Sequence, residues 1–475
     1  MIYLDRNSPK SLSEQLYRQI KQDIVGGSLA KNTPLKSLRV FGDELGISRN
    51  TVDNAYQQLI AEGYIRAVHG TGYFVEDIGT DFSGEHKSSL FPVLVHHAKK
   101  PKVMYDFEFE SIETGLFPWA KWKKYVGNAI LMEECGSAIS YENNKGNLKL
   151  RESLSGFLYR HRGVNCDPKQ IVLCAGTQYA MEILTSLLPP GSNRFAFEEP
   201  GYVAMRHCIE EKGYSVTSIP VLENGVYTLL LSRSNCNILY ITPSHQFPTG
   251  AVTSIGVRNQ LLKWAYTNGA YIIENDYDSE FRYGLMPIPS LQSLDKNGRV
   301  IYMGTLSKIL SPAIRCAFLI LPWELVEAYE NKYRYFNAAL PAYHQIALSN
   351  MINEGFLERH LRKISSINEK KYDVLIKAIK EYMPNEVQIV QNPAGVHTLV
   401  KIMNCRNQKK LIEDLEKESI RIYGIKEHCH DQINAYEDIF IMGFNSMSRE
   451  EIINGCKKMG EVLRRQLSLK KHDEL

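Results

Sequence analysis

The sequence lacks a dominant charge. Over its 475 residues, 56 Lys and Arg stand against 53 Asp and Glu, a formal net charge of +3. Net charge therefore points to no polyanionic partner, and any nucleic-acid contact has to come from a local patch. No apolar run approaches the ~18–20 residues of a membrane helix. The start, Met1-Ile2-Tyr3-Leu4-Asp5-Arg6, has neither the basic nor the apolar region of a signal peptide. The 9 cysteines are scattered, odd in number and form no C-x-x-C pair, which argues against a disulfide framework and for a reducing cytoplasm. His428-Cys429-His430 is the one dense group of ligand-type side chains. Adjacent ligands suit a single tetrahedral ion poorly, so no metal site is expected. The terminal His472-Asp473-Glu474-Leu475 spells an ER-retention signal. With no entry signal, it reads as a chance polar tail. Repeats and low-complexity tracts are absent too. What remains, 44% hydrophobic and 23% charged, is an ordinary globular composition. At ~100–200 residues per domain, the length allows about two to four domains.

Residues 1–75 read as short helices followed by a hairpin. Leu12, Leu16, Ile20 and Ile24 recur every four residues, one apolar stripe of a helix ended by Gly26-Gly27. Leu38, Phe41 and Leu45 give a second helix, closed by Gly46. Ser48 is a good N-cap for a third, whose face is Val52, Ala55, Tyr56, Leu59 and Ile60. Tyr64–Val68 and Tyr73–Val75, around His69-Gly70-Thr71-Gly72, read as a two-stranded wing. The tight turn Gly46-Ile47-Ser48 makes the third helix a candidate recognition helix. Its first turn carries Arg49, Asn50 and Thr51, suited to guanine, adenine, and phosphate or thymine methyl. Arg39, at the start of the second helix, suits a backbone phosphate. Gly70 and Gly72 let the wing tip approach a minor groove. This unit has 9 Lys and Arg against 7 Asp and Glu, so it is only +2. Affinity then depends on placement and dimerisation.

Residues 76–105 are polar, then basic, and read as a linker. From about 106, helical stretches alternate with short apolar runs: 171–174, 195–197, 238–241, 271–273, 300–303 and 317–320. They look like strands covered on both faces of a mostly parallel α/β sheet, expected over 106–325. Residues 326–475 read as a smaller α+β domain. Gly304-Thr305-Leu306-Ser307-Lys308 follows one run, with Arg315 seven residues on. A strand-end lysine beside hydroxyls and an arginine suits an aldehyde cofactor with a phosphate, the amine forming a Schiff base. Ala175-Gly176-Thr177-Gln178 opens a helix after another strand and offers N–H groups to an anion. Glu199-Pro200-Gly201-Tyr202 puts a ring where a pyridine could stack, and Pro248-Thr249-Gly250 lies after a third strand.

Leu45–Val52, Ala55–Leu59 and Ala61–Tyr64 closely resemble the winged helix of GntR-type transcription regulators, best the MocR-type subgroup with an aminotransferase-like body. In that resemblance Arg39, Arg49, Thr51 and Gly70 fall on DNA-contacting positions. The segments around Lys308 resemble the fold-type I pyridoxal phosphate (PLP) body of aminotransferases over about 106–465. The resemblance implies Lys308 as the lysine bonded to PLP and Arg315 on its phosphate. It puts Gly176, Thr177, Thr305 and Ser307 around that phosphate, Tyr202 against the ring and Tyr277 near the ring hydroxyl. Tyr141 matches the tyrosine lent to the neighbouring subunit, which implies a homodimer on a two-part DNA operator.

Three departures separate the chain from an enzyme. Transaminases of this type hold a carboxylate against the pyridine nitrogen, and the family spacing places it at 275, which is Asn275. Either Asp276 substitutes after a shift at the strand end, or the ring stays a poor electron sink; the second reading is favoured. Phe247 stands where transaminases have Asn before Pro-Thr-Gly, a pattern shared by MocR-type relatives. Ile441 stands where many have an arginine for the substrate carboxylate, leaving Arg206, Lys426, His428 and His430 as other cations. The expected function is a PLP-dependent regulator sensing an amine, an amino acid or PLP itself. The alternative is a working aminotransferase carrying a DNA-binding domain.

Overall fold

The structure is a computed structural model. It describes residues 2–6, 8–79, 103–131, 142–283, 288–390, 394–403, 405, 407–430 and 436–473, with side chains to residue 466. The chain divides into two units, Met1–Ala98 and Lys99–Leu475. Most of the expected linker lies outside the described residues. Its last residue, Tyr105, already belongs to a strand of the second unit.

The first unit has helices α1 (Leu12–Val25), α2 (Leu38–Leu45) and α3 (Arg49–Ala61). Each begins at a serine, Ser11, Ser37 or Ser48, whose hydroxyl accepts a first-turn N–H. Gly46 ends α2 at φ 63°, a left-handed backbone that glycine adopts without strain. Leu16, Ile20 and Ile24 pack with Val52, Ala55, Tyr56 and Leu59 as the core. The wing holds three strands rather than two: β1 (Pro34–Leu35), β2 (Ile65–Val68) and β3 (Gly72–Val75), in the order β1-β3-β2. Pro34 pairs with Phe74 and Leu35 with Tyr73. A two-residue strand is too short to show alternation in sequence.

The second unit opens with β4 (Tyr105–Asp106) and helices α4 (Trp119–Leu131) and α5 (Leu148–Arg162). Then come β5 (Ile171–Cys174), α6 (Thr177–Leu187), β6 (Phe195–Glu199), β7 (Val216–Leu222) and β8 (Gly225–Val226). After them follow β9 (Ile238–Ile241), β10 (Tyr271–Asp276), β11 (Val300–Thr305) and β12 (Ala317–Ile320). These strands form one sheet in the order β5-β12-β11-β10-β9-β6-β7-β8. The run β11-β10-β9-β6-β7 is parallel. β5, β6 and β9 are buried along their whole length, as a sheet covered on both faces requires. The sequence reading missed β7 and β8 at the edge. β7 is largely half-exposed and carries Pro220, so it lacks the apolar run of its neighbours.

A second sheet follows: β13 (Val387–Ile389), β14 (His397–Ile402), β16 (Tyr423–Gly424) and β17 (Ile439–Gly443), ordered β13-β14-β17-β16. Between them β15 (Ile420–Arg421) pairs with β4. The long helices Phe356–Tyr382 and Arg449–Asp473 pack on each other. Among the described residues no helix is long and apolar enough to cross a membrane.

Candidate functional site

Parallel strands in one sheet end on the same side, so the residues just past them meet. The ends of β5, β6, β9, β10 and β11, with the segment after β4 and the start of β14, enclose a cavity of about 180 Å³. Gly176 and Thr177 follow β5, Tyr202 follows β6, and Thr242 and Phe247 follow β9. Asn275 and Tyr277 lie at the end of β10, and Thr305, Ser307 and Lys308 at that of β11. Arg315 completes this set.

One end of the cavity is built for an anion. The first turn of α6 directs free N–H groups toward it. Gly176 adopts φ 102°, and a Cβ there would fall 2.0 Å from a guanidinium nitrogen of Arg315. Glycine is therefore required for the arginine to reach the helix end. Arg315 has a left-handed backbone (φ 54°), and its Nη2 donates to the Ala175 carbonyl at 3.1 Å. The Thr305 and Ser307 hydroxyls lie 2.9 Å apart beside it. Gln178 is exposed and outside the cavity lining; its place is the first turn of α6.

The amine stands at the other side. Lys308 Nζ donates to the carbonyls of Phe109 (2.8 Å) and Glu110 (2.9 Å). Burial lowers its pKa, and the charges of Asp278, Glu110 and Glu108 oppose that fall. Aromatic rings wall the space between. Phe247 meets Tyr202 and His428 edge-on, at 5.8 Å and 4.8 Å, and Phe109 at a tilt, at 5.4 Å. Burial pushes His428 down to about 4 and His397 to about 3, so both are neutral at pH 7.

Position 275 is resolved by the pleat of β10. Asn275 faces the cavity, its Nδ2 donating to the Tyr240 hydroxyl at 2.7 Å. Its Oδ1 is buried without a partner. Asp276, expected as a candidate cofactor contact, is on the opposite face, which corrects that expectation. Successive residues of a strand point to opposite sides. Asp276 Oδ2 accepts from Arg162 Nε (2.7 Å) and the Tyr302 hydroxyl (2.6 Å), and all three side chains are buried. Its Oδ2 is committed on that face, and Asp276 is absent from the cavity lining.

Arg206 and Lys426, weighed as cations for a ligand carboxylate, are also committed. Arg206 bonds Glu210 (2.8 Å), Ser218 (2.9 Å) and Glu199 (3.5 Å), and Lys426 pairs with Glu437. His428 is neutral. His430 meets Glu199 through its backbone N–H. Ile441 is fully buried with Phe109, Phe247, Leu399 and Ile425. Tyr141 lies outside the described residues. The sequence reading missed Phe109, Glu110, Thr242, Val396 and His397 in the lining. Phe109 and Glu110 belong to no motif, so no local signal marks them.

The residues present fit PLP. The arginine-threaded glycine turn suits its phosphate, the rings suit its pyridine, Lys308 suits its aldehyde, and the orphaned Asn275 oxygen faces the cavity.

In the first unit, Arg39, Arg49 and Asn50 are exposed at the starts of α2 and α3. Among the described residues Arg39 and Arg49 have no carboxylate partner, while Arg18, Lys21, Lys31, Lys36 and Arg66 are all paired. The Thr51 hydroxyl lies 2.8 Å from that of Ser48, joined to the cap. At the wing tip, a Cβ on Gly70 or Gly72 would meet nothing within 4 Å, so the turn is open.

Residues 114–428 match the family model described as Aminotransferase class I and II, and residues 12–75 that of Bacterial regulatory proteins, gntR family. The chain is 35% identical over 459 residues to the uncharacterized HTH-type transcriptional regulator YhdI of Bacillus subtilis (strain 168), covering 96% of this chain and 97% of that one. It is 29% identical over 430 residues to the probable rhizopine catabolism regulatory protein MocR of Rhizobium meliloti, covering 86% of each. The solved kynurenine aminotransferase of Pyrococcus horikoshii matches the second unit with a TM-score of 0.69 at 21% identity, covering 78% of this chain and 92% of that one. That likeness shows the fold of the body, fold-type I.

Proposed function

We infer that, because this chain belongs to the MocR-type regulators, in which a gntR-family winged helix precedes an aminotransferase class I and II body, its two units are a reader of duplex DNA and a PLP-dependent sensor. It is a transcription regulator. Bound PLP supplies an aldehyde that condenses reversibly with primary amines. Lys308 is the resident amine with which an effector, an amine or amino acid, competes. Gly176, Thr177, Thr305, Ser307 and Arg315 would hold its phosphate, Tyr202 would pack on its ring, and Tyr277 would serve the side of its hydroxyl.

One observation carries the choice of sensor over enzyme. The residue of β10 that faces the cavity is the neutral Asn275, and the adjacent carboxylate, Asp276, bonds Arg162 and Tyr302 on the other face. An amide does not hold a pyridinium as a carboxylate does, so proton abstraction from a bound amine is weakly assisted. The effector is then bound without being consumed. Its contacts bias the conformation of the body and, through it, the affinity for DNA.

Arg39, Arg49, Asn50 and the wing tip read the operator. Large apolar side chains left exposed, Leu131 (84%) and Tyr335 (89%) among them, support a homodimer and hence a two-part operator. A DNA target implies a cytoplasmic setting.

The test is operator binding by wild type and Lys308→Ala, with and without PLP and amines. The wild type should respond to amine only when loaded, and the variant should not respond. Equal responses would sink the sensing role, and sustained conversion of PLP to its amine form would favour the enzyme.

A further inference from the structure

The polar groups of the cavity are distributed unevenly, and the distribution selects a ligand. Among the described residues its cationic side chains are Lys308 and Arg315 alone. Arg315 is drawn against Gly176 at the anion end. Among the described residues of this chain no cation is left for a carboxylate on the effector: Arg206 and Lys426 are held by glutamates, and His397 and His428 are neutral. Ile441 is sealed in an apolar cluster.

The amine side carries the opposite charge. Glu110 lines the cavity, is exposed, and its main-chain carbonyl accepts from Lys308 Nζ at 2.9 Å. Among the described residues its carboxylate makes no ion pair or side-chain hydrogen bond. Glu108, by contrast, is occupied by the N–H groups of Glu110 and Ser111. Burial raises the Tyr202 hydroxyl pKa, and the charge of Glu110 raises it further, so that carboxylate is felt across the cavity. The rings of Phe109, Phe247 and Tyr202 line the same cavity, apolar walls that suit methylene groups and tolerate a cation on their faces.

We propose that the effector is an aliphatic diamine without a carboxylate: one amine meets the cofactor at Lys308, and the other, as an ammonium, meets Glu110. This rests on the preceding assignment of Lys308. A carboxylate-bearing amine would bring its charge toward Glu110 with no cation to offset it.

The experiment uses the full-length protein loaded with PLP. It is titrated with 1,5-diaminopentane, n-pentylamine and 5-aminopentanoate, which share a primary amine and differ at the distal end. Visible absorbance and operator affinity are read together. The diamine should half-saturate at about tenfold lower concentration than pentylamine, and 5-aminopentanoate at a higher one than either. In Glu110→Gln the ratio of diamine to pentylamine should fall to near one, and Glu110→Asp should restore part of it. If 5-aminopentanoate matches the diamine, or the ratio survives Glu110→Gln, the diamine assignment is overturned and the sensing role stands. A protein that takes up no PLP, or whose operator binding ignores every amine, overturns the sensing role itself.

Discussion

In the winged helix, charge stays at the surface. Arg18, Lys21, Lys31, Lys36 and Arg66 face carboxylates in water, and only cations such as Arg39 and Arg49 lack such partners. In the body, some of the charge goes inside. Arg162 and Arg258 are 1% and 2% exposed, and Glu198 and Glu274 are equally buried. The proton linkage of Glu62 is therefore opposite in sign to that of the buried Glu198 and Glu274. Hydrogen bonds from Lys21, Tyr17 and Gln58 lower Glu62 to about 2, so its contribution is present above about pH 4.5 and lost as pH falls toward 2. Burial raises Glu198 and Glu274 to about 7, so each costs stability as pH rises from about 4.5 through 7. The first unit keeps its surface ready for an external polyanion. The second buries ion pairs such as Arg162–Asp276 on the far face of the strand that lines the cavity.

The strongest test of this contrast is Arg162→Leu. It strands Asp276 in the interior and should cost the body about 3–5 kcal/mol. All four tryptophans, at 119, 122, 264 and 323, lie in the body, so their fluorescence during denaturation reports that unit alone. A loss under about 1 kcal/mol would mean the pair acts as a surface bridge does. Next is Glu198→Gln. The wild-type carboxyl sits among Thr242 and Gln246 and is neutral below about pH 7. Between pH 4.5 and 8 the variant should gain about 2–3 kcal/mol on the wild type. A difference that stays flat with pH would remove the body's half of the contrast. The smallest effect is expected in the winged helix. Arg49→Ala should weaken operator binding by about 1–3 kcal/mol, measured by anisotropy, with the tryptophan midpoint unchanged. Arg18→Ala, which removes a paired cation, should leave binding within about 0.5 kcal/mol.

Much of this was legible in the residues alone. Ser48 as a cap, Gly46 as a stop and the six buried strands are local signals, and local signals survive folding. The convergence of Gly176, Tyr202, Asn275, Thr305 and Lys308 followed from strand-end placement. What failed was whatever depends on which side chains meet once the elements pack. Arg206 looked available until Glu210 on its own helix and Ser218 and Glu199 on neighbouring strands met it, and Lys426 until Glu437 did. Asp276 could not be separated from Asn275 without knowing which face of β10 looks into the cavity. His428 carries no sequence mark of its neutrality, because burial comes from the packing of Phe109 and Phe247.

The alternation along β10 also insulates two inheritances from each other. The residue that touches the ring and the residue that ties Arg162 are neighbours in the gene but answer to different surroundings. One codon at 275 can be rewritten, to aspartate or back, without loosening the tie below. A change at 275 thus alters what the cavity meets, and its bond to Tyr240, while the Asp276–Arg162 tie on the other face keeps its partners.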